Sequence, residues 1–152
     1  MSLKDKLKTL RDSNDDSKIN WEKNKNEWID SVNHLFEIVQ DDWFLELKDE
    51  GLLKIKTLPI YITEEHIGKY SIDKMEIIYA TGSIIFEPIG RNIIGGIGRI
   101  DLYLKGEFGK GRMLILFREN NQDNWFLVSK KTSHDQKLLS KESLEKAIEQ
   151  WI

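Results

Sequence analysis

The chain has 152 residues, 39% of them apolar and 32% charged, with 23 Lys and Arg against 26 Asp and Glu. Five Trp, six Phe and four Tyr exclude a disordered composition, and the length suits one core of ordinary size. Nearly balanced charge supplies no global field towards polyanions, and the absence of cysteine excludes disulfides, thiolate metal sites and cysteine nucleophiles.

Met1 to Lys6 contains no apolar core of signal-peptide length, and no run approaches the roughly 18 apolar residues of a membrane span. A cytoplasmic location is the expectation. Leu3, Leu7 and Leu10 predict a short first helix, ended by the break Ser13-Asn14-Asp15-Asp16. From Ser17 to about Leu47 there is no Gly or Pro, and Trp21, Trp28, Val32, Leu35, Phe36, Val39 and Trp43 recur at helical spacings. That pattern predicts a long amphipathic helix, with Asp15, Asp16 or Ser17 as its cap.

Beyond Gly51 the period becomes alternating, and strands are predicted at Leu52–Ile62, Ile72–Tyr79, Ser83–Glu87, Gly98–Lys105, Arg112–Arg118 and Trp125–Lys130. Pro59 cannot donate to a ladder, which places the first strand at an edge or a bulge. The connectors are turn-forming and too short for crossover helices, so the strands pair as an antiparallel meander. Ser140 reads as the N-cap of a last helix, with Leu139 and Leu144 at staple positions and Leu144, Ile148 and Trp151 on its apolar stripe. The expected fold is α+β: one domain over 1–152, with a helical segment 1–49, an antiparallel sheet of five or six strands 51–130, and a C-terminal helix 140–152.

One segment is unusual. From Glu87 to Asp101 the chain reads Glu-Pro-Ile-Gly-Arg-Asn-Ile-Ile-Gly-Gly-Ile-Gly-Arg-Ile-Asp. Pro88, Gly90, Gly95, Gly96 and Gly98 would form a loop that permits close approach of a backbone or ligand. Gly90 and Gly95 have the spacing of a phosphate-binding loop, but Gly96 and Ile97 stand where lysine and a hydroxyl are needed. Gly106 to Gly111 repeats the spacing and continues with Arg112 and Met113, which also fails. The dinucleotide pattern beginning at Gly96 and Gly98 has Asp101 where its third glycine belongs.

In the following strand Ile100, Leu102 and Leu104 face the core, whereas Arg99, Asp101, Tyr103 and Lys105 share the other face. One reading is a solvated sheet face whose ion pairs contribute little. The other is a binding site in which Glu87, Arg91, Arg99 and Asp101 meet an anionic group or a charged protein surface, arginine's fork suiting carboxylate or phosphate.

The segment resembles that of small uncharacterised bacterial proteins of similar length, in which a strand ending in Glu-Pro-x-Gly leads to Ile-Gly-x-x-Gly-Arg-[Ile/Val]-Asp. Here those residues are Glu87 to Gly90 and Ile94 to Asp101, and the likeness includes Gly68-x-Tyr70-x-Ile72-Asp73. The resemblance implies the fold and singles out residues. It carries no activity with it.

No catalytic set and no metal-ligand set is legible. His34, His66 and His134 lack ligand spacing, Glu64-Glu65-His66 reads as a solvated turn, and no cofactor is implied. Lys130, Lys131, His134 and Lys137 form a basic cluster behind Trp125, itself read as core, so nucleic-acid binding is a minor alternative. The leading expectation is a non-enzymatic binding or regulatory protein whose partner is another protein or a second copy. The alternative is a small enzyme or phosphate-binding domain that uses the same loop for a small anionic ligand. No membrane partner is expected.

Overall fold

The computed structural model of the chain describes residues 2–65, 67–90, 97–107, 111–119, 122–129 and 136–152, with side chains except those of residues 13–20 and 119. Helix α1 spans Leu3–Ile38 and starts on Ser2, whose hydroxyl accepts from the Asp5 N–H at 3.2 Å. The expected break at Ser13 to Asp16 does not form, and the backbone there is helical. Residues of that kind cost a helix interior only a few tenths of a kcal/mol each, and neither Gly nor Pro is present to interrupt it.

At its end the helix widens into a π turn over Val39–Trp43, in which the Phe44 N–H reaches back to the Val39 carbonyl at 2.9 Å. The extra residue in that turn redirects the chain into α2, Leu45–Asp49, and Phe44 enters the core. Gly51, at φ 74°, closes α2. The Leu52 N–H donates to Leu47 and the Gly51 N–H to Lys48, both at 3.0 Å, which satisfies carbonyls that the helix end leaves open.

Among the described residues seven strands follow: β1 Lys54–Glu64, β2 Gly68–Tyr79, β3 Gly82–Gly90, β4 Gly98–Leu104, β5 Arg112–Glu119, β6 Gln122–Ser129 and β7 Gln136–Leu138. They form one antiparallel sheet in chain order. The alternation of apolar residues predicts the first six. The seventh, three residues long, is too short to show a period. Pro59 lies in edge strand β1 opposite Asp73, where its missing donor breaks no ladder on the open side.

One face of the sheet holds the core. Trp28, Val32, Leu35 and Phe36 of α1 pack with Phe86, Ile100, Leu102, Leu114, Leu116 and Trp125. The Trp28 and Trp125 rings lie 6.0 Å apart, and Phe36 meets Phe86 edge-on at 6.2 Å. Each such fully buried side chain contributes about 1.5–3 kcal/mol. Helix α3, Lys141–Glu149, adds Leu144 and Ala147 to the same core. Its cap is Ser140, whose hydroxyl accepts from the Ser143 N–H at 3.1 Å while the Ser143 hydroxyl accepts from the Ser140 N–H at 2.8 Å.

Arg118 ties α1 to the end of β5 and β6. Its guanidinium donates to Glu27 at 2.6 Å, Asp123 at 2.9 Å and Ser31 at 3.0 Å. Among the described residues no helix is long and apolar enough to cross a membrane.

Candidate functional site

Because both α1 and α3 pack on one face, the opposite face of the sheet carries no helix among the described residues. The β3–β4 register places Glu87 directly opposite Asp101, with Arg99 and Tyr103 two residues to either side of Asp101 on the same face. Arg99 donates through Nε to Asp101 Oδ1 at 2.7 Å and through Nη2 to Oδ2 at 3.1 Å, a two-pronged pair within one strand. The Tyr103 hydroxyl donates to Glu87 Oε1 at 2.9 Å. Two carboxylates thus face each other, and among the described residues Arg99 pairs with Asp101 and the Tyr103 phenol with Glu87.

The titration of these groups follows from that geometry. Hydrogen bonding to Asp101 holds the Arg99 guanidinium more firmly charged, against a smaller opposing effect of burial. Burial first, and then the hydrogen bond to Glu87 and the charges of Glu87 and Asp101, push the Tyr103 phenol up to about 12.

Next to this group runs a second one that sequence alternation does not connect to it. Glu76, only 5% exposed, is opposite Lys56 on β1 and Ile85 on β3, and Lys56 and Lys105 each place an ammonium 3.4 Å from its carboxylate. Burial pushes this carboxyl up, but hydrogen bonds from Ser83, Lys105 and Lys56 and the Lys105 charge outweigh it, so the group stays below its ordinary value. On the other side of Asp101 and Arg99 lie Met113 and Ile115, then Val128 and Phe126, then Gln136 and Leu138. The face is therefore polar at β3–β4 and apolar towards β7.

Of the loop residues, Pro88 is buried opposite Ile100, and the register shifts between Pro88 and Gly90. A Cβ on Gly90 would come within 2.8 Å of a Glu64 carboxylate oxygen. Gly98 has a firmer reason to be glycine, because a Cβ there would overlap the Trp28 ring. Arg91, Gly95 and Gly96 lie outside the described residues, as do His66, Lys130, Lys131 and His134. Among the described residues no group of three or more His, Asp and Glu could hold a metal ion.

Two clefts among the described residues lie away from the site. One cleft of about 250 Å³ lies between α3 and β5–β7 and is lined by Arg112, Ser129, Lys137 and Lys146, and another of about 740 Å³ lies between α1 and β5–β6 around His34 and Arg118. Neither includes Glu87, Arg99 or Asp101. Alternation along β4 puts Tyr103 on this face but does not by itself join it to Glu87. Its position two residues beyond Asp101 was the available signal. Glu76 carried no such signal, since its place opposite Ile85 depends on the β2–β3 register.

Comparison with protein-family models, curated proteins and solved structures finds no match for this chain. The function is therefore argued from the site alone.

Proposed function

We propose that the chain is a non-enzymatic binding or regulatory protein of a bacterial or phage cytoplasm, and that the helix-free face of its sheet receives a protein partner. The observation that carries this reading is the direct opposition of Glu87 and Asp101 on a face that continues into Met113, Ile115, Phe126 and Leu138. Convergence of the charged side chains in a concave pocket would have favoured an enzyme. A face with paired charges beside an apolar band has instead the make-up of a protein interface.

The chemistry of the partner follows from the charge. Asp101 saturates the fork of Arg99, while Glu87 is met by a neutral phenol, so the patch favours an incoming Lys or Arg flanked by apolar side chains. Affinity capture on the immobilised wild-type chain, compared with Glu87→Gln and with Ile115→Asp, tests the assignment. A protein retained by the wild type in a salt-sensitive manner should be lost from both variants, with their circular dichroism unchanged. Equal retention by folded variants would overturn it.

A further inference from the structure

Helix α1 carries its apolar stripe further than the sheet can cover. Leu3, Leu7 and Leu10 fall on the same helical face as Trp21, Trp28 and Val32, yet they are 74%, 56% and 63% exposed. Lys4, Lys8 and Arg11 flank the stripe on one side and Lys6 on the other, while Asp5 and Asp12 lie behind it. The result is a basic helical arm with three leucines at positions i, i+4 and i+7. At 1.5 Å per residue, Leu7 stands about 32 Å from Trp28, the first fully buried residue of the helix among those whose side chains are described.

The opposite end of the molecule has the complementary feature. Between α2, α3 and the β2–β3 hairpin lies an apolar groove of about 340 Å³, with Phe44, Ile77 and Ile84 at its floor and Leu47, Tyr79 and Ile148 in its walls. Leu52 and Ile152 at its lip are 58% and 68% exposed. Glu145 and Glu149 also line it, and neither forms an ion pair among the described residues.

We infer that the leucine arm of one copy docks in this groove of a second copy. Three arguments select that occupant. The spacing of Leu3, Leu7 and Leu10 is that of a helix laid into an apolar groove. The charges match, since a basic arm meets acidic walls, whereas two arms side by side would set Lys4, Lys6 and Arg11 against their own kind. Reach excludes the groove of the same chain: the unbroken helix from Leu7 to Ile38 is about 46 Å long, and the groove begins just beyond its far end at Phe44. Reciprocal exchange of arms fills both grooves and closes as a two-fold dimer. This contact uses neither Glu87 nor Asp101, so it stands independently of the partner surface proposed above.

Sedimentation equilibrium and light scattering on the full chain test it. The wild type should show twice the 17.9 kDa chain mass at micromolar concentration. Leu7→Glu on the arm and Leu52→Glu on the groove should each weaken self-association at least tenfold without altering circular dichroism, both side chains being exposed. Lys4→Glu/Lys8→Glu and Glu145→Lys/Glu149→Lys should each do the same, and the four substitutions combined should restore the dimer. A monomeric wild type overturns the inference. So does a dimer that is indifferent to either the arm or the groove substitutions, or a charge reversal that the combined variant does not rescue.

Discussion

Tyr103→Phe removes one hydroxyl from the middle of the candidate face, and its effect should depend on pH in a way that the geometry dictates. The phenol titrates at an ordinary 10.0 when exposed and at about 12 in the folded chain, because burial and the carboxylates of Glu87 and Asp101 oppose its ionisation. A group whose folded value is raised contributes stability that is complete below the unfolded value and disappears as pH rises through the folded one. Below pH 9 the wild type therefore keeps the full hydrogen bond to Glu87, worth about 1.5–3 kcal/mol for a charged acceptor, relative to the phenylalanine variant. At pH 11 the unfolded phenol is mostly ionised while the folded one is not, which lowers wild-type stability by about 1.4 kcal/mol through this group alone. Urea unfolding of both proteins at intervals from pH 8 to 11 reads the difference, since every other lysine and tyrosine cancels between them. The two stability curves should converge above pH 10. Parallel curves would refute the burial of the Tyr103 hydroxyl against Glu87.

Gly98→Ala should destabilise by about 1–3 kcal/mol and shift tryptophan fluorescence, because the added methyl meets the Trp28 ring in a core without spare volume; a thermal melt matching the wild type would contradict that packing. Glu76→Gln should flatten the acid limb of the stability profile. The lowered Glu76 carboxyl contributes stability above its ordinary value of 4.5, and that contribution is lost as pH falls through the folded value. A wild-type and variant difference that stays constant from pH 6 to 3 would show that Lys56 and Lys105 do not hold the group. Arg118→Met should cost about 1–2 kcal/mol, since it removes the partly exposed hydrogen-bonded charge pairs with Glu27 and Asp123. Hydrogen exchange should locate the loss at the junction of α1 with β5 and β6, and protection unchanged there would count against the clamp.

The sheet was legible because its strands bury one face, so period two appears wherever a strand is long enough, as in Ile100, Leu102 and Leu104 against Arg99, Asp101 and Tyr103. Pro59 likewise pointed to an edge or a bulge, and the sheet order makes it an edge. What misled was local preference: Ser13 to Asp16 reads as a helix break, but the penalty of such residues is small beside that of Gly or Pro, and α1 continues through them. Strand β7 and the π turn after Ile38 gave no sign, the one for brevity and the other because a single added residue per turn leaves an apolar pattern almost unchanged.

For the candidate site, the sequence by itself determined which side chains share a face of β4, since alternation within a strand is local. It also determined that Leu3, Leu7 and Leu10 form a stripe. Only the tertiary structure decided that Glu87 stands opposite Asp101, that Glu76 is enclosed by two lysines from different strands, and that the leucine stripe overruns the sheet. Those facts depend on register and on where a helix ends relative to its neighbours. Both are settled by packing between residues far apart in the chain, which no local period encodes.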